Sequence, residues 1–481
     1  MAKTDSPRRT ATSAAAPLSV VPRALLSVVI LAAGQGKRMK SDLPKVLQPV
    51  AGRPLLKHVI DAAGALAPAA TYVVYGHGGD RVRDTLKNEK VAWVLQAERL
   101  GTGHAVMQAA PDIPDDHMVL VLYGDVPLIT AHTLQQLLAL AGPKKVGLLT
   151  MIVDDPTGYG RVVRKGRNQV QKVVEQKDAS KKELKIQECN TGVVAAPARL
   201  LKKWLKRLKN NNSQGEYYLT DIIALAVADK ATVNPLVAPD NAEVLGVNDK
   251  AQLAEVEAHY RRRAAHALMI GGVTVADPAR LDVRGSVTHG VDVSIDINVI
   301  FEGTVKLGNR VRVGPNTVIR NCEIGDDTEV FANCVLDSSV IGSNCLIGPF
   351  SRTRPTSKLA NSVHVGNFVE VKNAEMANDS KANHLAYVGD ATVGERVNIG
   401  AGTIIANYDG ANKHRTVIEN DAHTGSNSVL VAPIKVGAGA TIAAGSTVIK
   451  EVAPGKLTVA RARQVTVDNW TRPTKPTRPT K

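Results

Sequence analysis

The chain has 481 residues, of which 44% are hydrophobic, 22% are charged and 3% are aromatic, and its net charge is +15. This balance excludes collagen-like and mostly disordered proteins, and the length predicts two or three domains rather than one core. No apolar run approaches the roughly 20 residues that a membrane-spanning helix needs. We expect residues 1–26 to be a disordered extension and residues 464–481 to be a basic tail.

Residues 27–248 alternate between short apolar runs and helical periods. This alternation predicts an α/β domain of Rossmann-like type, with a mostly parallel sheet, helices on both faces, and ligands beyond the carboxyl ends of the strands. The predicted strands are Leu26–Leu31, Thr71–Tyr75, Val91–Leu95, Met118–Leu122 and Val146–Val153. The predicted helices are Leu55–Leu66, His104–Ala110 and Ala131–Leu140.

Residues 249–272 form a charged segment with helical periodicity. Leu253, Val256 and Tyr260 fall on one stripe of this helix, so we expect a helical linker between two domains.

Residues 273–463 repeat an aliphatic residue followed by glycine, often at six-residue steps. This period predicts a left-handed parallel β-helix of hexapeptide repeats, in which the aliphatic side chain points into a narrow triangular core. We expect glycine or asparagine to turn each corner at positive φ. The aliphatic positions are Leu307, Val313, Ile324, Ile341, Ile347, Val365, Val388, Val393, Ile399 and Val436, and small or β-branched residues two positions earlier include Val311, Cys322, Ser339, Cys345, Ala391 and Val397.

The cysteines lie far apart in the sequence and form no C-x-x-C pair. Disulfides are therefore not expected, and a cytoplasmic location is predicted. The residues are Cys189, Cys322, Cys334 and Cys345.

A glycine-containing loop, Leu31–Met39, follows the first predicted strand. Its Ala and Gly residues let backbone N–H groups approach an anion, and Arg38 and Lys45 add cations beside it. The loop lacks the spacing of a Walker motif and the third glycine of a dinucleotide fingerprint, which disfavours hydride transfer. Asp125 closes an apolar strand, where a carboxylate is well placed for Mg²⁺.

The order of motifs resembles that of a known family. LAAGQGKRM, DLPKVL, QAERLGTGHA, YGDVPL, DDPTGYGR, VVEQKDA, NTG, NNNSQGEYYLTDII and GVND occur in this order before the repeats. Over roughly residues 27–463 the chain resembles the bacterial bifunctional N-acetylglucosamine-1-phosphate uridylyltransferase / glucosamine-1-phosphate acetyltransferases. The resemblance implies synthesis of UDP-N-acetylglucosamine, a precursor of bacterial envelope polymers, by a homotrimer.

For the first domain, the resemblance implies transfer of UMP from UTP to N-acetylglucosamine 1-phosphate, with release of pyrophosphate. Arg38 and Lys45 would act on the phosphates, and Asp125 and Asn248 would hold Mg²⁺. The implied UTP and UDP-sugar site comprises Leu31, Ala33, Gly34, Lys45, Gln96, Gly101, Thr102, Tyr123, Gly160, Glu175, Asn190 and Asn248.

For the repeat domain, the resemblance implies acetylation of glucosamine 1-phosphate by acetyl-CoA, with His384 as the general base. The sugar phosphate would contact Arg354, Lys372, Tyr387 and Asn398. Acetyl-CoA would contact Ala401, Asn407, Tyr408, Ser426, Ala444 and Arg461. Asn383 and Thr356 stand at positions where relatives usually have glycine.

Three other functions remain open from the residues. One is a sugar nucleotidyltransferase whose β-helix is only regulatory or oligomerising. A second is a zinc enzyme of the γ-carbonic-anhydrase type, with ligands among His364, His384, His414 and His423. A third is a non-catalytic basic protein that binds nucleic acid, although no basic stripe is interleaved with aromatic residues.

Overall fold

The computed structural model describes residues 25–76, 79–166 and 169–475. Most of the expected extension at 1–26 and the last residues of the expected tail therefore lie outside the described residues. The chain divides into two compact units, the first ending at Tyr260 and the second beginning at Arg261. In the described ranges, no helix has both the length and the apolar character needed to cross a membrane.

The first unit alternates strands and helices along the chain, as its sequence predicts. Its strands are β1 (Leu26–Ala32), β2 (Pro49–Val50), β3 (Arg53–Pro54), β4 (Ala70–Gly76), β5 (Ala92–Gln96), β6 (Met118–Tyr123), β7 (Lys145–Ile152), β8 (Arg161–Lys165), β9 (Gln169–Val174), β10 (Glu188–Pro197) and β11 (Thr232–Val237). Its helices are α1 (Leu55–Gly64), α2 (Asp80–Thr85), α3 (Thr102–Ala109), α4 (Ala131–Ala139), α5 (Ala198–Leu205) and α6 (Asp221–Ala228), and α7 (Lys250–Ile270) continues into the second unit.

The main sheet of this unit is mixed rather than wholly parallel. Its order is β11-β7-β10-β6-β1-β4-β5, and β10 runs antiparallel to both of its neighbours, β6 and β7. The other neighbouring pairs in this order are parallel. Because β1, β5 and β6 run in the same direction, their carboxyl ends meet at one edge of the sheet.

Helices cover both faces of the sheet because side chains alternate along each strand. Val28 and Ile30 of β1 pack in a core cluster that includes residues of α1 and α4. Val29 and Leu31 point to the other face, in a cluster that includes residues of α3, α5 and α6. The central strand β1 is therefore buried on both faces, which explains its continuous apolar run.

The second unit is a parallel coil with three strands in each regular turn. One sheet contributes one strand per coil: Thr274–Val275, Ser294–Ile295, Arg312–Val313, Glu329–Val330, Leu346–Ile347, His364–Asn367, Lys381–His384, Asn398–Ile399, His423–Thr424, Thr441–Ile442 and Leu457–Thr458. A second sheet begins with Leu281–His289 and Val299–Leu307 and continues with two short strands per coil. These are Val318–Arg320, Glu323–Ile324, Val335–Asp337, Val340–Ile341, Arg352–Thr353, Lys358–Leu359, Glu370–Lys372, Glu375–Met376, Tyr387–Gly389, Ala391–Val393, Ile404–Ala406, Thr416–Ile418, Val429–Val431, Ile434–Val436 and Thr447–Val448.

Buried aliphatic side chains fill the interior of the coil from Val273 to Val452. Cys322, Cys334 and Cys345 are fully buried among them as free thiols, and burial raises the pKa of each. They are therefore small core residues, as expected for Cys322 and Cys345.

The glycines of the repeat have a different role from the one expected. Among the glycines of the ten aliphatic–glycine pairs, only Gly348 has a positive φ. All of the others except Gly389 lie where the next coil is too close for a side chain: a Cβ on Gly366 would lie 2.0 Å from the Asn383 carbonyl oxygen. The expectation for asparagine is confirmed: Asn316 and Asn344 turn corners at positive φ, as do other non-glycine residues such as Asp327.

Candidate active sites

A cavity of about 570 Å³ lies at the carboxyl ends of β1, β5 and β6. Loops that leave these strands form its walls, at the edge of the sheet where ligands of such folds bind. It is lined by Leu31, Ala32, Ala33, Gly34, Gln35, Lys45, Val46, Gln96, Arg99, Gly101, Thr102, Ala105, Tyr123, Asp125, Glu216 and Asn248. Most residues expected for the nucleotide thus surround one space.

Two glycines shape this cavity through close backbone approach. Gly36 has φ +61°, and a Cβ there would lie 2.6 Å from the Cβ of Lys45, so the loop after β1 packs directly on Lys45. Gly101 has φ +106°, and a Cβ there would lie 2.7 Å from the Tyr217 carbonyl oxygen. Any side chain at either position would push the loops apart.

Lys45 is the centre of a polar cluster at the end of β6. Its ammonium donates to the Asp125 carboxylate and, at 3.3 Å, to Oδ1 of Asn248. Two oxygens from distant parts of the chain therefore converge on one cation. A carboxylate and an amide oxygen are the donor types that Mg²⁺ prefers, so these residues fit the expected metal.

Gln96 is buried at the end of β5, with 3% of its surface exposed. Its Nε2 donates to the Gly101 carbonyl at 3.1 Å and lies 3.1 Å from Nδ1 of His104. Thr102 begins α3, and its hydroxyl accepts from the Leu219 N–H at 3.1 Å. Amide and hydroxyl groups held in this way can read the edge of a base.

Gly160, Glu175 and Asn190 form a second group that does not line the large cavity. The Asn190 N–H donates to the Gly160 carbonyl at 2.8 Å, and the Thr220 hydroxyl donates to Glu175 at 3.0 Å. Burial raises the pKa of Glu175 above that of an exposed glutamate. Oδ1 of Asn190 is buried without a hydrogen-bond partner. An unpaired buried acceptor suits a ligand that brings a hydroxyl or an amide N–H.

Tyr123 lies between the two groups. It lines the large cavity and also a small one that Asn190 lines. Burial and the nearby Glu175 carboxylate raise the pKa of Tyr123. Arg38 is not in either group: it lies exposed on the turn Lys37–Met39 and does not line the cavity.

His384 lies at a corner of the coil, at the end of the strand Lys381–His384. Its Nδ1 is 2.7 Å from Oδ1 of Asn367, the register partner one coil earlier. The amide oxygen can only accept, so in the neutral imidazole the tautomer that fits this contact has its proton on Nδ1 and its lone pair on Nε2.

The positions expected for acetyl-CoA continue from His384 along the same corner. Backbone hydrogen bonds join successive coils there: Gly402 donates to His384, Asn427 to Ala401, and Gly445 to Ser426. The Arg461 guanidinium donates to the Ala444 carbonyl at 2.6 Å. We call the positions His384, Ala401, Ser426 and Ala444 the acyl column. Neighbouring strands lie about 4.8 Å apart, so these positions form an evenly spaced row.

Lys372 and Tyr387 lie on the second sheet of the coil, and Arg354 directly follows its strand Arg352–Thr353. Arg354 pairs with Glu370 at 3.0 Å, and Glu370 is the register partner of Tyr387. The Lys372 ammonium lies close to that of Lys413, which lowers the pKa of Lys413. Two neighbouring ammonium groups indicate a place for an anion.

Asn398 shares a register position with Lys381 and His423, on the first sheet of the coil. It lies at the start of the strand Asn398–Ile399 and precedes Ala401, a member of the acyl column, by three residues. Asn398 is therefore on the same sheet as His384, whereas Lys372 and Tyr387 are on the other.

The regular coil opens between Ile404–Ala406 and Thr416–Ile418. Register partners on either side of this excursion, such as Ala391 and Thr416, are 25 residues apart instead of the usual 17 or 18. Asn407 is buried at its start, whereas Tyr408 is exposed and donates to the Gly410 carbonyl at 2.5 Å.

A zinc site of the carbonic-anhydrase type finds no support in the ranges described. No group of three or more His, Cys, Asp or Glu side chains there is arranged to hold a metal ion. His414 instead pairs with Asp409 at 2.6 Å.

Some residues of these sites were not predicted from sequence. Gln35, Arg99 and Glu216 line the cavity at the ends of β1, β5 and β6, and Asn367 holds the ring of His384. Asn367 precedes His384 by 17 residues, which is one coil in this region. Counting back by one coil is a signal that identifies Asn367, whereas the hexapeptide period alone does not.

Three family models match successive parts of the chain. The MobA-like NTP transferase domain matches residues 28–213, the GMPPB C-terminal domain matches residues 283–384, and the bacterial transferase hexapeptide (six repeats) matches residues 415–450. With the fold described above, they define a nucleotidyltransferase joined to a hexapeptide-repeat transferase. The predicted fold class, a Rossmann-like domain followed by a left-handed β-helix, is confirmed.

Relatives along almost the whole chain show the family. Bifunctional protein GlmU of Azoarcus sp. (strain BH72) is 55% identical over 94% of this chain and 100% of its own. Those of Janthinobacterium sp. (strain Marseille) and Ralstonia nicotianae (strain ATCC BAA-1114 / GMI1000) are 55% and 54% identical, over 94% of this chain and 99% of theirs. The chain belongs to the family of bifunctional GlmU proteins. It is a uridylyltransferase and an acetyltransferase, as its sequence predicts.

Proposed function

We propose that the coil acetylates glucosamine 1-phosphate with acetyl-CoA, and that the first unit transfers UMP from UTP to the resulting N-acetylglucosamine 1-phosphate. The observation that carries this proposal is the pairing of two built sites in one chain. Lys45, Asp125 and Asn248 converge in a nucleotide-sized cavity, and His384 begins a row of corner positions.

In the first site, UTP would lie with its base against Gln96, Gly101 and Thr102. The loop after β1 offers backbone N–H groups to the phosphates, and Lys45 and the exposed Arg38 supply positive charge. Asp125 and Asn248 would hold Mg²⁺, which neutralises charge on the phosphates when it is bound. The buried acceptor of Asn190 supports a sugar subsite with Glu175 and Gly160.

The reaction requires orientation more than a covalent intermediate. A phosphate oxygen of the sugar 1-phosphate attacks the α-phosphorus of UTP, and a new P–O bond forms. The bond between the α- and β-phosphates breaks in line, and pyrophosphate leaves with the electron pair. Lys45 would hold the transferred group close to the attacking oxygen.

In the second site, His384 would accept a proton on Nε2, because Nδ1 is engaged with Asn367. The amine of glucosamine 1-phosphate attacks the thioester carbonyl, a C–N bond forms, and the C–S bond breaks. Coenzyme A leaves as a thiolate that takes up a proton. Arg354 and Lys372 would bind the sugar phosphate, with Tyr387 and Asn398 against the sugar.

Acetyl-CoA would lie along the acyl column, past Ala401, Ser426 and Ala444 to Arg461, with Asn407 and Tyr408 beside its reactive end.

We also propose a homotrimer. Its support is an exposed apolar strip next to His384, in which Phe350 and Phe368 stack with centroids 5.2 Å apart and are 50% and 55% exposed. Light scattering of the purified chain tests the trimer.

The decisive assay combines glucosamine 1-phosphate, acetyl-CoA, UTP and Mg²⁺ with the purified chain and leaves out one component at a time. We expect UDP-N-acetylglucosamine only from the complete mixture, and N-acetylglucosamine 1-phosphate when UTP or Mg²⁺ is omitted. Addition of N-acetylglucosamine 1-phosphate should remove the need for acetyl-CoA. Formation of a nucleotide sugar without acetylation would refute the proposed order.

A further inference from the structure

Four polar side chains are stacked at one corner of the coil, each 17 residues after the last. The Thr356 hydroxyl donates to Oδ1 of Asn373 at 2.8 Å. Nδ2 of Asn373 donates to Oδ1 of Asp390 at 2.6 Å, and Nδ2 of Asn407 donates to the other Asp390 oxygen. We call these four residues the corner ladder.

The corner ladder contains a buried anion that the reactions described above do not use. Asp390 is 6% exposed and Asn407 is 7% exposed. A carboxylate in such a place requires hydrogen-bond donors on both oxygens, and the two amides provide them. Lys413 also lies near enough to Asp390 for an electrostatic attraction between the two side chains.

The single charge determines the direction of every hydrogen bond in the ladder. A carboxylate only accepts, so both neighbouring amides must turn Nδ2 toward Asp390. Oδ1 of Asn373 therefore faces the other way, where the Thr356 hydroxyl donates to it. By the same reasoning, Oδ1 of Asn407 faces away from the ladder, as a fixed acceptor.

The ladder ends where the coil opens. Asn407 follows the strand Ile404–Ala406 and begins the excursion that carries Lys413 toward Lys372. The His414 N–H donates to the Asn407 carbonyl at 2.8 Å and closes this excursion. Thr356, Asn373 and Asp390 all have positive φ, which is unfavourable above all for the β-branched Thr356. The structure keeps these side chains at the corner despite that cost.

We propose that Asp390 is a positioning residue for acetyl transfer that acts through Asn407. Asp390 fixes the Asn407 carboxamide so that its Oδ1 accepts from an N–H group of a bound substrate. That N–H belongs either to the attacking amine of the sugar or to an amide of the pantetheine arm. The inference rests on the proposed place of Asn407 in the acetyltransferase site.

The test is a double-mutant cycle between Asp390→Asn and Asn407→Ala. An amide at 390 both donates and accepts, so Asn407 is free to adopt either orientation. We expect Asp390→Asn to lower kcat/KM for acetyl transfer by about 10- to 100-fold. In the Asn407→Ala background, the same change should have no further effect. A higher KM for acetyl-CoA would identify the pantetheine amide, and a lower kcat with unchanged KM would identify the attacking amine.

Three controls separate positioning from damage to the fold. Uridylyl transfer is measured on every variant and should not change. Asp326→Asn breaks a similar contact between coils, with Asn309, and should leave acetyl transfer intact. Should Asp390→Asn fail to fold, Asn373→Ala removes one donor from the same carboxylate and should give a smaller loss that also disappears in the Asn407→Ala background.

Losses that multiply in the double variant would overturn the inference, because Asp390 would then act independently of Asn407. An unchanged kcat/KM in a folded Asp390→Asn variant would overturn it as well. Absence of acetyl transfer in the unaltered chain is a different result, which would refute the proposed function itself.

Discussion

In the first unit, the candidate site lies where loops after β1, β5 and β6 meet, so residues distant in sequence enclose one cavity. In the second unit, the candidate site follows a corner of the coil, and its residues recur once per turn. The order of strands in a sheet brings together the residues of the proposed nucleotide site. The residues of the proposed acetyltransferase site come together because they recur at intervals of one turn along the repeat. The two constructions should therefore respond differently to substitution.

The largest effect is expected from His384→Ala, which removes the proposed base from the acyl column. Acetyl transfer should fall by about 10² to 10⁴-fold, because general-base catalysis contributes that much. Uridylyl transfer should be retained, and both rates are measured on the same preparation. His423→Ala, a change of the same kind two coils further on, is the control. Loss of both activities in a folded His384 variant would contradict two independent sites.

Asp125→Ala should produce the opposite pattern. Lys45 loses its carboxylate partner and Asn248 is left as the only oxygen donor of the cluster, so we expect uridylyl transfer to fall roughly 10³-fold. Acetyl transfer should not change. Asp115→Ala removes an exposed ion pair with Lys202 elsewhere in the unit and should be silent in both assays. An Asp125→Ala variant with normal uridylyl transfer at saturating Mg²⁺ would rule out its proposed role.

Gly400→Ala tests whether the repeat glycines allow neighbouring coils to pack closely. A Cβ at this position would lie 2.3 Å from the Thr424 carbonyl oxygen, so neighbouring coils must separate. We expect a loss of about 1–3 kcal/mol in stability, seen as a lower temperature for loss of acetyl transfer. Gly64→Ala is the matched change in the first unit, where no atom lies within 4 Å of the new Cβ, and it should be tolerated. Equal effects of the two changes would contradict the role assigned to the repeat glycines.

The smallest effect is expected on thermal stability, from substitution of Glu175. Burial raises the pKa of this side chain. A raised pKa means that the folded state favours the protonated acid. Its stabilising contribution is therefore present below the pKa of the unfolded chain and is lost as the pH rises through the folded value. Glu175→Gln should unfold at a higher temperature than the unaltered chain at pH 8, with no difference at pH 4. A difference of the opposite sign, or one independent of pH, would exclude this explanation.

The sequence predicts the regular parts of both units because hydrophobic patterns report burial. Continuous apolar runs locate β1, β4 and β6, and the six-residue period locates the coil. The direction of β10 was not predicted, since its run VVAA is buried whichever way the strand points. The predicted role of the repeat glycines was wrong for a related reason. The clash at Gly366 involves Asn383, which lies one coil later, and a six-residue period does not show which residues meet across coils.

Candidate site residues that belong to a motif were easier to predict than the residues that hold them in place by hydrogen bonds. Lys45 and Asp125 stand in recognisable segments, and the structure brings them together. Asn367 and Asp390 were not among the predicted site residues. Their contacts with His384 and Asn407 follow from the 17-residue turn of the coil, which only the folded register makes visible.

The coil also has a consequence for how such a chain can change in length. Each turn rests on its two neighbours alone, through pairings such as Arg312 with Glu329 and Glu329 with Leu346. A residue inserted within a strand would turn the side chains that follow it in that strand to the opposite face, whereas a complete extra turn would keep the register of all later turns. Complete turns, and excursions at a corner such as the one between Ile404–Ala406 and Thr416–Ile418, are therefore the changes in length that this architecture can absorb.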